Sequence, residues 1–150
     1  MKTVFDKTTR EELMSRINTL DESKAAEWGK MNAYQVLKHC SSWEEWVHGR
    51  NNTVYKRSFM GLLFGRWVLK SMTKDDEPLR RSTPTSPQFV ITETSGEIEP
   101  FKRKWIALIE EYARFSNPNF VHDFFGKMTP EQIGILAYKH TDHHLRQFGC

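Results

Sequence analysis

The sequence predicts an all-α fold, a four-helix bundle, and three observations carry that prediction. Four segments repeat apolar residues at spacings of three and four, as the inward stripe of a helix does. Alternation at period two is confined to a short patch around Phe89 to Thr92. In the third segment the seam Ile98, Phe101, Trp105, Leu108, Tyr112, Phe115 steps by three and four in turn, which suits a bundle core. A length of 150 residues is the size of one domain, expected over 1–150, and 38% hydrophobic with 27% charged content excludes disordered, collagen-like and disulfide-scaffold classes.

The first segment starts at a Thr8, Thr9 cap, with Glu11 and Glu12 three residues on, and then carries Leu13, Ile17 and Leu20. The second opens at Asn32 with Gln35 at the third helical position, a capping-box pattern. It runs to about Gly49 with Val36, Leu37, Cys40, Trp43, Trp46 and Val47 inward, which places His39 two turns inside the helix. The third spans about Glu97 to Phe115, with Pro100 in its first turn, where a missing N–H costs little. The fourth is capped by Thr129, has Pro130 and Gln132 at its first and third positions, and ends at Gly149. Its inner stripe is Ile133, Leu136, Ala137, His140, His144 and Gln147.

Between the second and third segments lie roughly 45 residues, far more than the about 2 to 8 that join antiparallel neighbours. That length implies a crossover, with the two helices running parallel. Within it, Phe59 to Met72 is apolar but broken by Arg66 and Lys70, and too short to cross a bilayer. It reads as a buried or half-buried helix. An interfacial membrane helix is the sharper alternative, since Arg57, Arg66 and Lys70 flank the aromatics, but core packing is preferred and no membrane partner is expected. The loop from Lys74 to Ser95 carries Pro84-Thr-Ser-Pro87, a PxxP match without functional weight, and Arg80-Arg81, which could meet an anion but is more often solvated surface.

The net charge of +3 is spread along the chain, which argues against a nucleic-acid partner. Cys40 and Cys150 form neither a disulfide framework nor a CxxC motif, and Asp6 and Lys7 interrupt the N-terminus before any signal-like apolar run. A cytoplasmic location is the expectation.

Six histidines are the compositional skew, three of them within His140 to His144. His140 lies four residues from His144 and three from His143, and both spacings put two imidazoles on one helix face. The inner stripe leans the pairing towards His144. His39 is the histidine elsewhere on a patterned helix face, and bundle cores accept ligands from facing helices. Three neutral imidazoles would hold a divalent ion with coordination positions open, and nickel, zinc and iron all accept such ligands. The competing explanation is the helix macrodipole, which favours His143, His144 and Arg146 in the last two turns. Cys40 points about 100° away from His39 and packs in the core. His122 could border a pocket or simply be hydrogen-bonded in its loop, while Trp28, Trp43, Trp46 and Trp105 are mainly core with some near the site; His48 has no assigned role.

Trp28-Gly-Lys-Met-Asn-Ala-Tyr-Gln-Val-Leu-Lys-His39 resembles the first signature of the DinB/YfiT-like metalloenzyme superfamily, a Gln-x-Leu-x-His pattern on its second helix. His140-Thr-Asp-His-His144-Leu-Arg-Gln147 resembles its second signature, and Phe124-Phe-Gly-Lys-Met-Thr-Pro-Glu is similar to one uncharacterised subgroup. The resemblance implies an up-down-down-up bundle, frequently dimeric, with a divalent metal on His39, His140 and His144. It makes His143 a neighbour of the site or a surface residue, and Gln147 a candidate for orienting a ligand. Many members carry His-Arg-Gly-Gln where this chain has His144-Leu-Arg-Gln147. Members of known activity transfer or isomerise with bacillithiol, mycothiol or glutathione, which implies a metal-dependent, thiol-using transferase or isomerase here. The alternative is a non-catalytic, metal-binding or stress-related helical protein.

Overall fold

The computed structural model describes residues 1–51 and 56–150, so residues 52–55 of the expected crossover lie outside the described residues. Among the described residues the chain forms α1 (Lys7–Asn18), α2 (Ala33–Val47), α3 (Phe59–Met72), α4 (Glu99–Glu111) and α5 (Pro130–Gln147). Two short 3-10 turns, Pro87–Phe89 and Tyr112–Arg114, and a small antiparallel hairpin of β1 (Val121–His122) with β2 (Gly126–Lys127) complete it. The protein is mostly helical, as the periodicity requires.

The caps written in the sequence form where expected. Asn32 Oδ1 accepts from the Gln35 N–H while the Gln35 side chain reaches back to the Asn32 N–H, and Thr129 and Gln132 do the same for α5. Helix α1 departs from expectation: it begins at Lys7, where the Arg10 N–H bonds the Asp6 carbonyl at 3.1 Å and closes the first turn, so Thr9 is a buried helical residue and not a cap. Helix α4 ends at Glu111, and the apolar seam continues through the following 3-10 turn, where Tyr112 is buried. The patch around Phe89 forms a 3-10 turn and no strand, and the hairpin's two-residue strands are too short for any periodicity to announce them.

Helix directions follow from paired contacts. Tyr34 meets Phe101 edge-on, Glu45 pairs with Lys104 at 3.2 Å, and the His48 ring donates to the Leu108 carbonyl at 3.0 Å; positions ascend together, so α2 and α4 run parallel. Arg10 approaches Glu110 at 3.7 Å while Phe5 meets Tyr112 and Phe115, so α1 opposes α4. The Val4 N–H bonds the Gly134 carbonyl and Arg16 pairs with Asp142 at 2.8 Å, so α1 runs with α5. Leu13, Ile17, Val36, Leu37, Trp46, Trp105, Ile109, Ala137 and Leu145 are fully buried in one core between these four helices. Burying a Leu or Ile side chain contributes about 1.5 to 3 kcal/mol each, which makes this shared core the main term holding the helices together.

Helix α3 corrects the core-packing expectation. Its buried side is Gly61, Gly65 and Leu69, and the two glycines press on the Phe124–Phe125 turn of the hairpin, while Phe59, Met60, Leu62, Leu63, Phe64 and Trp67 face outward. A Cβ at Gly61 or Gly65 would overlap the Phe124 carbonyl oxygen, so the helix docks through its absent side chains and its bulky ones have nowhere inward to go. No helix among the described residues is long and apolar enough to cross a membrane.

Candidate metal centre

Helix α2 presents His39 and helix α5 presents His140 and His144, and one ring nitrogen from each lies within 4.8 Å of the others. Among the described residues this is the one group of three or more His, Cys, Asp and Glu side chains close enough to share an ion. His39 and His144 are buried, and His140 is half-buried.

Hydrogen bonds set two of the three tautomers. The His39 Nδ1–H donates to the Phe89 carbonyl at 2.9 Å, leaving Nε2 as a bare lone pair. Gln147 Nε2 donates to the Trp28 carbonyl at 2.7 Å, so its Oε1 must be the atom that accepts from His144 Nδ1–H at 3.0 Å, and the His144 Nε2 lone pair is also free. His140 Nε2 sits 3.3 Å from His39 Nε2, and its buried Nδ1 has no partner among the described residues. Its ring is held instead by stacking on Trp43, with centroids 4.2 Å apart.

Burial holds all three imidazoles below the ordinary histidine range, His140 and His144 well below, with neighbouring rings adding to the effect. All three are therefore neutral near pH 7, the form that ligates a metal. The His39 to His140 separation of 3.3 Å equals the edge of a tetrahedron built on metal–nitrogen bonds of about 2.0 to 2.1 Å. Three neutral imidazoles, two buried and one half-buried, with the free Nε2 lone pairs of His39 and His144 close to the His140 ring and one His140 nitrogen unpartnered among the described residues, fit a divalent cation.

Other expected neighbours fall at different distances from this cluster. Trp43 and Gln147 touch it, through His140 and His144 respectively. His143 lies beside it, its ring 5.1 Å from His144 and 5.9 Å from Trp28. His122 is a hairpin residue: its Nδ1 accepts the Phe124 N–H at 3.1 Å and its ring packs on Phe125 and Trp46. Cys40 is fully buried, and burial pushes its thiol well above the usual range. Arg81 lies over the Trp28 ring at 4.1 Å.

Three contributions go beyond the residues that the sequence pattern singles out. Phe89, in a loop without an assigned role, inserts its ring against Trp46 and lends its carbonyl to His39. Gly29, at φ +83°, lets Gln147 reach the Trp28 carbonyl; a Cβ there would stand 2.5 Å from Gln147 Nε2. Its place in the first signature was the available signal. Glu44 is fully buried between α2, Tyr112 and α5, accepting from Tyr112 at 2.5 Å and Thr141 at 3.3 Å, and burial pushes its carboxyl up to about 8. A surface groove of about 580 Å³ lies elsewhere, lined by Phe5, Tyr112, Phe115 and Met128, and none of the three histidines reaches it.

A family model described as "Protein of unknown function (DUF1569)" matches residues 3–149. No curated protein and no solved structure matches the chain.

Proposed function

We propose, for a chain that belongs to the DUF1569 family of proteins of unknown function, that it is a DinB-like metalloenzyme using a low-molecular-weight thiol. In this reading α1, α2, α4 and α5 form the up-down-down-up bundle of that superfamily, and His39, His140 and His144 hold a divalent ion, nickel or zinc in preference to iron. The observation that carries it is the convergence of three neutral imidazoles from two helices, two of them oriented by hydrogen bonds to Phe89 and Gln147. Orienting partners of this kind serve to present a ligand lone pair in a fixed direction.

When bound, the ion would supply positive charge that keeps a thiol ionised at neutral pH. The chain's own residues do the rest. Phe89 and Gln147 hold two imidazoles in the ligating tautomer, and Trp43 fixes the third by stacking. Arg81, on the Trp28 ring beside His143, would favour an anionic thiol or electrophile at that edge.

A second reading, a non-catalytic metal-binding protein, is favoured by one observation: two surface grooves among the described residues, one lined by Phe5, Tyr112 and Met128 and the other by Asn32, Tyr34 and Ile98, include none of the three histidines. Elemental analysis of the purified chain beside His39→Ala and His140→Ala tests the site. About one equivalent of nickel, zinc or iron, lost in both variants, is expected; metal content unchanged by either substitution overturns the assignment. Thermal shifts with bacillithiol, mycothiol and glutathione then separate the two readings, since only an exchangeable position lets a thiol stabilise the fold.

A further inference from the structure

The outward side of α3 is the least explained surface of the protein. Six of its side chains, Phe59, Met60, Leu62, Leu63, Phe64 and Trp67, are exposed large hydrophobics, with Phe59 at 73% and Trp67 at 74% exposure. Scattered exposed apolar residues are ordinary, but a contiguous set on one short helix marks a contact surface. The charge around it has one sign: from Lys56 to Lys74 the sequence holds five basic residues and no acidic one. Among the described residues no acidic group pairs with Arg66 or Lys70, which lie on the same outward side. Arg57 is used internally, donating to the Gly61 carbonyl at 2.9 Å, and Lys74 pairs with Asp75.

We propose that α3 is a membrane-surface helix that lies flat on an anionic lipid bilayer. Its 14 residues span about 21 Å at 1.5 Å per residue, enough to lie in the interface and too short to cross it. Trp and Phe suit the headgroup boundary, and the long stems of Arg66 and Lys70 let their charges rise to the phosphates while the helix sinks its apolar side. The glycine stripe at Gly61 and Gly65 seats the helix against the hairpin, so this side projects and stays accessible. A second copy of the chain fits less well. A two-fold contact through this surface would gather Arg66 and Lys70 of both copies into one interface, with no acid in the segment to compensate.

The test is co-sedimentation of the full chain with phosphatidylglycerol and with phosphatidylcholine vesicles, at low and high salt, read alongside tryptophan emission. Binding to phosphatidylglycerol is expected, weakened by salt and accompanied by a blue shift that Trp67→Ser removes. Each basic residue near an anionic surface is worth about fivefold in partitioning, so Arg66→Gln with Lys70→Gln should lose roughly 25-fold. Leu63→Ser with Trp67→Ser should abolish binding, and melting temperatures will show that these exposed changes leave the fold intact. No sedimentation with phosphatidylglycerol, or binding indifferent to both variant pairs, overturns the proposal. A chain dimeric by light scattering that becomes monomeric in Leu63→Ser/Trp67→Ser also overturns it, assigning the surface to a second copy.

Discussion

Replacing Glu44 by Gln should make the protein more stable at alkaline pH and leave it nearly unchanged at acid pH. The carboxyl is fully buried, and hydrogen bonds from Tyr112 and Thr141 only partly offset the cost of burying its charge. Its folded value of about 8, against 4.5 for an ordinary glutamate, means that the folded state holds a proton the unfolded chain has released. Between those two values stability falls as pH rises, because folding must take up that proton. A gap of 3.5 pH units (8 − 4.5) at about 1.36 kcal/mol per unit amounts to a destabilisation of about 5 kcal/mol, complete above pH 8. Glutamine keeps the shape and has no charge to bury. Urea unfolding of both proteins from pH 5 to 9 supplies the number. The quantity to follow is the difference between them, since histidine titrations common to both cancel in it. That difference should be small near pH 5 and grow by several kcal/mol in favour of Glu44→Gln towards pH 9. A difference that stays constant across the range would refute a neutral, buried Glu44.

Gln147→Leu should cut metal affinity by about 10- to 100-fold, the usual cost of losing a group that orients a ligand, as read by competition with a chromophoric chelator. Gly29→Ala should lower thermal stability by about 1 to 2 kcal/mol for its left-handed backbone alone, and by more because the new methyl crowds Gln147. A melting curve equal to wild type would refute the packing described between the first signature and α5. Trp105→Ala, in a fully buried position, should cost about 3 to 5 kcal/mol in the same assay. Trp43→Ala should loosen His140 and reduce metal stoichiometry or affinity while leaving His39 and His144 bonded to Phe89 and Gln147.

Features that depend on neighbours along the chain are legible in the amino-acid order. The capping boxes at Asn32 and Thr129 are each completed within three residues, and the seam from Ile98 to Tyr112 is set by helical repeat alone. The pairing of His140 with His144 is likewise a matter of one helical turn. Periodicity fails where a segment's environment runs against its composition. Phe59 to Met72 is apolar enough to read as core, yet its glycines, and not its leucines, make the contact with the hairpin. The start of α1 is shifted because Asp6 closes the first turn and Thr9 is drawn into the interior.

By itself, then, the sequence determined the helical class, the positions of the main helices and the histidines that could share a face, since all of these follow from local repeat and local hydrogen bonding. The rest came from contacts between distant elements. Tertiary packing brought His39 to 3.3 Å from His140 across 101 positions of chain and supplied the Phe89 carbonyl from a loop. It turned Gln147 onto Trp28, raised the proton affinity of Glu44 by burial, and left α3 facing outward. Each of these is a consequence of what a side chain meets from a distant element, and burial, tautomer and proton affinity are properties of that meeting.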